Sequence, residues 1–224
     1  PSASPSPPPP LASYAVTLSK PSTISHCFPI TPPAPPGTPA LAAPPAPLLV
    51  TARCSRLEVS SFPPPSEPDA GLTLLRTVPL HGHVACLAPI PLATGTLLFV
   101  LTSRLRFCIL DVSVSPARTV SSGSVAEKIG SPAAGPLLLA ASATCVAVHA
   151  YAGYLRVLPL TPSGSVSGAF TAPLPSASPL VDLAFLHGFA TPHLALLAAD
   201  GGRTHLQTLE VEGGRLRGDR PWQK

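Results

Sequence analysis

The sequence predicts an all-β fold: a β-propeller of about four blades, part of an incomplete ring. Three observations lead there. Apolar runs begin at Leu48, Leu97, Cys145 and Leu194, at intervals of 49, 48 and 49 residues, and a fixed period of about 20–50 residues marks a solenoid, a propeller or an array. Each run is followed by a short break and then by a second strand pattern, so each unit contains a β-hairpin. A helical repeat would place apolar residues three and four apart, and these runs lack that spacing.

The elements follow in chain order. Residues 1–13, which include "PSASPSPPPP", read as a disordered Pro/Ser-rich tail, and residues 14–224 as the propeller. Sixteen of the 33 prolines fall in the first fifty residues. Proline removes a backbone donor and fixes φ, so this excess belongs to tails and loops. The stretch "TPPAPPGTPALAAPPAP" (31–47) is therefore a loop insertion of polyproline II character.

"LLVTARCSRLEV" (48–59) is the first hairpin, with Arg56 and Glu58 opposing Leu57 and Val59. "LTLLRTVPL" (72–80) supplies a strand after it, and "VACLAPI" from Val84 a strand before the next. In "LLFVLTSRLRFCILDV", from Leu97, the first strand is a continuous apolar run, as for a strand buried on both faces. Its second strand sets Arg104 and Arg106 against Leu105, Phe107 and Ile109, which is the period of two of a strand with one dry and one wet face. "CVAVHAYAGYLRVLPL" from Cys145 and "LALLAADGGRTHLQTLEV" from Leu194 repeat the pattern, the latter with an Asp-Gly-Gly turn signal. "VDLAFLH" from Val181 precedes the last hairpin by thirteen residues, as Val84 precedes Leu97. Each unit thus holds roughly four short antiparallel strands, which is one propeller blade. Such a sheet cannot bury both faces alone and gains its core from its neighbours.

Charge and motifs narrow the function. The net charge of +4 comes from scattered basic residues with no run longer than "RLR", whereas a nucleic-acid stripe needs clustering. The uncharged stretch 135–155 is long enough to span a bilayer, but Ser142, Thr144 and His149 interrupt it and the repeat accounts for it as strands. Five cysteines without a CxxC pair exclude a zinc ribbon and read as buried free thiols in a reducing compartment. His81-Gly82-His83 lacks a third ligand nearby and reads as an exposed connecting turn. "GSVSG" (164–168) has Val166 where a nucleophile elbow needs Ser, so it reads as a polar loop. Arg217-Gly218-Asp219 reads as a solvated turn, and no phosphate-binding GxxxxGK occurs. The acids Glu58, Asp111, Asp200, Glu210 and Glu212 lie on outer strands or turns, and Asp182 alone falls in an inner strand. One carboxylate makes no acid/base pair. The expectation is a protein that is not an enzyme, with no cofactor, no metal and no catalytic residue.

The order of these pieces resembles the opening of the family of the large subunit of UV-damaged-DNA-binding protein. The same family includes the largest polyadenylation-specificity subunit and a splicing-factor 3b subunit. The likeness begins at "YAVTLSKPSTISHC" (14–27) and runs through "LLVTARCSRLEV", "HGHVACLAPI" and "TLLFVLTSRLRFCILDV". It continues through "EKIGSPAAG" (127–135), "YAGYLRVLPL" (151–160), "VDLAFLHG" (181–188), "GGRTHLQTLEV" (201–211) and "RPWQK" (220–224). The resemblance implies the N-terminal part of the first of three propellers, four blades of a seven-bladed ring. It implies a scaffold that links substrate receptors, held through helical motifs, to a cullin-4-type ubiquitin ligase in DNA repair. The cullin is gripped by the rest of the full-length protein. Nucleic acid is met only indirectly, no membrane is involved, and the location is the nucleus and also the cytoplasm. A subunit of an mRNA polyadenylation or splicing complex is the alternative. The family's receptor-contacting residues follow no short motif here, so no binding residue is assigned. Two departures stand out: the insertion at 31–47, and acids and lysines thinned in favour of Ala, Pro and Ser.

Overall fold

In the computed structural model, which describes residues 23–32, 46–63, 71–93, 95–174, 178–200, 202–212 and 214–218, alternation and β-branched runs give sixteen strands and no helix among the described residues. The expected tail (1–13), most of the insertion at 31–47, the start of the "YAVTLSKPSTISHC" strand and the terminal "RPWQK" lie outside the described residues.

The strands form four antiparallel sheets, each in chain order. The first holds β1 (His26–Ile30), β2 (Leu48–Arg53), β3 (Arg56–Ser61) and β4 (Thr73–Pro79). The second holds β5 (Val84–Leu92), β6 (Gly95–Thr102), β7 (Arg106–Asp111) and β8 (Arg118–Ser124). The third holds β9 (Leu138–Ala141), β10 (Cys145–Tyr151), β11 (Tyr154–Pro159) and β12 (Phe170–Pro173). The fourth holds β13 (Leu180–Leu186), β14 (His193–Asp200), β15 (Arg203–Glu212) and β16 (Arg215–Gly218). β1 runs against β5, β5 against β9 and β9 against β13. The first strand of every sheet is therefore innermost, and the sheets are the blades of a partial β-propeller.

Face-to-face stacking supplies the core. Ile30, Val50, Leu57 and Val59 of the first blade pack on Leu98, Val100 and Leu110 of the second. The other face of the second blade, Leu97, Phe99, Leu101 and Ile109, packs on Val146, Val148 and Leu158 of the third. Ala147, Leu155 and Val157 of the third then pack on Leu183, Phe185, Leu194 and Leu196 of the fourth. A fully buried Leu or Phe contributes about 1.5–3 kcal/mol, so each blade depends on its neighbours for most of its stability.

This stacking explains which strand patterns are apolar throughout. β6 and β10 lie in blades covered on both sides and are buried along nearly their whole length. β14 belongs to the fourth blade, which has a neighbour on one side among the described residues, and its burial alternates. Leu194, Leu196 and Ala198 face the core, and Ala195, Leu197 and Ala199 are half-exposed. The expectation of one dry and one wet face fails in β7 for the same reason: Phe107 and Ile109 face the third blade and Leu110 faces the first, so both sides are covered. Leu105 is not in that strand but in the preceding turn, at φ 57°.

The 135–155 stretch is β9, β10 and the start of β11, as expected, and no described helix is long and apolar enough to cross a membrane. The 164–168 segment is a loop, as expected, and it folds inward with Gly164 buried against the second blade. Two further expectations change. Arg217 lies in β16, paired with Glu210 across the ladder, and not in a turn. Buried thiols hold for Cys86 and Cys145, but Cys27 and Cys54 are exposed and Cys108 is half-buried.

Candidate protein-docking groove

The repeat places a polar or apolar side chain at the same outer position of each blade, and at one inter-blade seam those side chains leave a groove. It opens between β4 of the first blade and β7 and β8 of the second, with a volume of about 750 Å³. Cross-strand pairing sets its floor. Cys108 stands opposite Val100 and Ser122, and Leu110 opposite Thr119, so these side chains share the face that looks at the first blade. Leu57 pairs with Val78, which brings Val78 into the seam from the other side. The wall on the β8 side is Thr119 and Ser122, too short to close the gap to β4.

Charge frames this floor. Arg76 reaches from β4 across to the second blade, where its Nη1 donates to the Val114 carbonyl and its Nη2 to the Ser113 carbonyl at 3.5 Å. That turn is held by Asp111, whose Oδ1 accepts from the Ser113 amide at 3.1 Å and from the Ser113 hydroxyl. Arg118 Nη2 completes the carboxylate at 3.4 Å. At the other end Arg106 is fixed by its backbone: its amide donates to Thr102 Oγ1 at 3.3 Å and its carbonyl accepts from the same hydroxyl at 3.0 Å. Its guanidinium is exposed and, among the described residues, makes no hydrogen bond or ion pair. His81 flanks it on the Leu80–His83 connector, where Gly82 adopts φ 126° and passes close over Thr102. None of the described residues lining the groove is acidic. Burial pushes the Cys108 thiol up to about 11, so it stays protonated at neutral pH and serves as an apolar surface.

The residues weighed from sequence are dispersed. Glu58 is committed to Arg53 Nε at 2.7 Å and Arg56 Nε at 2.9 Å, Glu210 accepts from Thr191 Oγ1 at 2.6 Å, and Glu212 pairs with Arg217 at 2.9 Å. Asp111 holds the turn just described. Asp182 does lie on the innermost strand, β13, but is exposed and accepts from the Leu183 amide at 2.8 Å. His81 and His83 are exposed on the connector, as expected. Sequence reading did not single out Arg76, Cys108 or Ser122. The signal was available in the repeat: Cys108 and Ser122 occupy the positions that Arg156 and Thr171 occupy in the third blade.

No family model matches the chain. Curated proteins do. It is 30% identical to DNA damage-binding protein 1 of Solanum lycopersicum over 170 residues, 73% of this chain and 15% of that protein. It is 30% identical to DNA damage-binding protein 1b of Arabidopsis thaliana over 207 residues, 88% of this chain and 18% of that protein. The Drosophila melanogaster DNA damage-binding protein 1 is 24% identical over 206 residues, 88% of this chain and 17% of that protein. The chain thus spans less than a fifth of the length of these relatives. Four stacked four-stranded blades, carrying a likeness that runs through most of the chain, place it in the DNA damage-binding protein 1 family.

Proposed function

We propose that the chain is a protein-interaction scaffold: the N-terminal propeller part of a damaged-DNA-binding-type adaptor that links substrate receptors to a cullin-4-type ubiquitin ligase in DNA repair. The observation that carries this reading is the likeness to DNA damage-binding protein 1 over 73% to 88% of the chain. The architecture supports it. Rigid stacked sheets hold loops and seams in fixed positions, which suits a surface that presents partners to one another. The described carboxylates are mostly spent on ion pairs, turns and strand ends, which suits a scaffold better than a catalyst. In this reading the four blades belong to a seven-bladed ring, receptors dock through helical motifs, and the cullin is held through the rest of the full-length protein. The protein works in the nucleus and also in the cytoplasm, and meets nucleic acid only through its partners.

Affinity purification of the endogenously tagged full-length protein from cell extract tests this. Recovery of a cullin and its substrate receptors is the expected result. Recovery of polyadenylation or splicing factors in their place would assign the chain to the RNA-processing branch instead.

A further inference from the structure

The outer seams of the blade stack are built alike but filled differently. Between the second and third blades, the connector from Val125 to Leu137 is long enough to lie in the seam. It places Glu127 against Arg156 Nη1, while Thr171 Oγ1 donates to Glu127 Oε2 at 2.7 Å and accepts from Arg156 Nη1 at 2.8 Å. The Glu127 amide donates to Tyr151 Oη at 3.0 Å. Val166 packs into the same seam from the next loop. Between the third and fourth blades, Phe170, Leu174, Val211 and Leu216 fill the outer space.

Between the first and second blades the connector is only Leu80–His83. It turns directly into β5, and among the described residues the β7–β8 turn (Ser115–Ala117) borders the seam but no inter-blade connector fills it. What remains is the 750 Å³ groove, with an apolar floor of Val78, Val100, Cys108 and Leu110 and with Arg76, Arg106 and His81 around it. In the second seam the chain's own connector brings a carboxylate to an arginine. In the first seam the space and the arginines are present and, among the described residues, no such segment is.

We propose that the groove between the first and second blades docks an extended, acidic segment of a partner protein. An apolar side chain of that segment rests on Val78 and Cys108, which are half-buried above Val100 and Leu110, and a carboxylate reaches Arg106. Charge complementarity selects this occupant: two arginines line the groove and, among the described residues, no acidic side chain does. The length fits as well, because a cavity of this size accepts a few side chains of an extended strand. The inference rests on the scaffold reading and names the chemistry of one partner contact within it.

The test is fluorescence anisotropy with the 224-residue chain and two labelled probes, Ac-Glu-Leu-Glu-Val-Glu-NH2 and its Lys-Leu-Lys-Val-Lys counterpart. The acidic probe is expected to bind at least tenfold more tightly, and to weaken several-fold as salt rises from 50 to 500 mM. Arg106→Glu, which removes an exposed guanidinium, and Ser122→Phe, which fills the groove, should each weaken the acidic probe at least tenfold. Arg104→Glu, an exposed arginine outside the groove, should change it less than twofold. Circular dichroism confirms that each variant is folded. Equal binding of both probes, absence of saturable binding, or tight binding by both groove variants would overturn the proposal. If cullin and receptors still copurify with the full-length protein in that event, the groove assignment fails and the scaffold reading stands. If they do not, the scaffold reading fails on its own test.

Discussion

Gly164 shows how one residue can lock two blades together. It adopts φ +82°, and a Cβ built on it would lie 2.3 Å from Leu97 Cδ1 of the second blade. Gly164→Ala should therefore destabilise the chain by about 1–3 kcal/mol, through overpacking and left-handed strain together. Gly168→Ala, at φ +69° but with open space around its Cβ, should cost less, about 1 kcal/mol. Urea denaturation of the two variants separates packing from strain. His149 makes the corresponding case for charge. It is 5% exposed, its Nδ1 has no hydrogen-bond partner among the described residues, and burial lowers its pKa below the ordinary 6.5. The unfolded chain then takes up a proton that the folded chain refuses, so stability is full above pH 6.5 and falls as pH drops from there toward the folded pKa. Denaturant midpoints between pH 7.5 and 5 should show this decline, and His149→Phe should flatten it. Neither feature was legible in the sequence. The "GSVSG" pattern shows a polar loop but not that it folds inward, and His149 looks like an interruption in an apolar run until the neighbouring blade is in place.

At the scale of elements, the connector between the second and third blades carries the clearest energetic test. Arg156 and Glu127 are each 21% exposed at the side chain, and Thr171 completes a triangle with them. Removing one charge leaves the other poorly solvated. Glu127→Gln should cost about 1.5–3 kcal/mol, the usual contribution of a hydrogen bond to a charged group. The paired change Glu127→Leu with Arg156→Met should recover most of it, because apolar replacement of both partners is often close to neutral. A double-mutant cycle read by chemical denaturation checks both. The strands themselves were legible. Hairpin starts read at Leu48, Leu97, Cys145 and Leu194 fall within β2, β6, β10 and β14, at or within two residues of their first residue. The connectors were less so. Periodicity reports a face that must be buried and says nothing of a thirteen-residue segment such as Val125–Leu137, which is seated by Glu127 on Arg156 and by backbone hydrogen bonds to Leu105, Ala150 and Ala152. The groove was missed for a related reason: Cys108 reads as one more apolar strand residue. Only comparison with Arg156, one repeat later, reveals that the second blade lacks the side chain that anchors a segment in the third.

For the whole molecule, burial along a strand is a property of the stack more than of the strand. β6 and β10, flanked on both sides, are closed to solvent, whereas β14 alternates and β4 exposes Leu74 and Leu75. The period of 48 to 49 residues and the number of blades could therefore be read from the chain, while the wet and dry faces of each blade could not, because they depend on neighbours. Hydrogen exchange followed by mass spectrometry measures this arrangement most directly. The slowest amides should cluster in four zones, β2–β3, β6–β7, β10–β11 and β14–β15, spaced by the repeat, with the outermost strands β4, β8, β12 and β16 exchanging faster in each interval. A single unbroken block of protection through residues 135–155, or slow amides without that spacing, would contradict the stacked-blade fold.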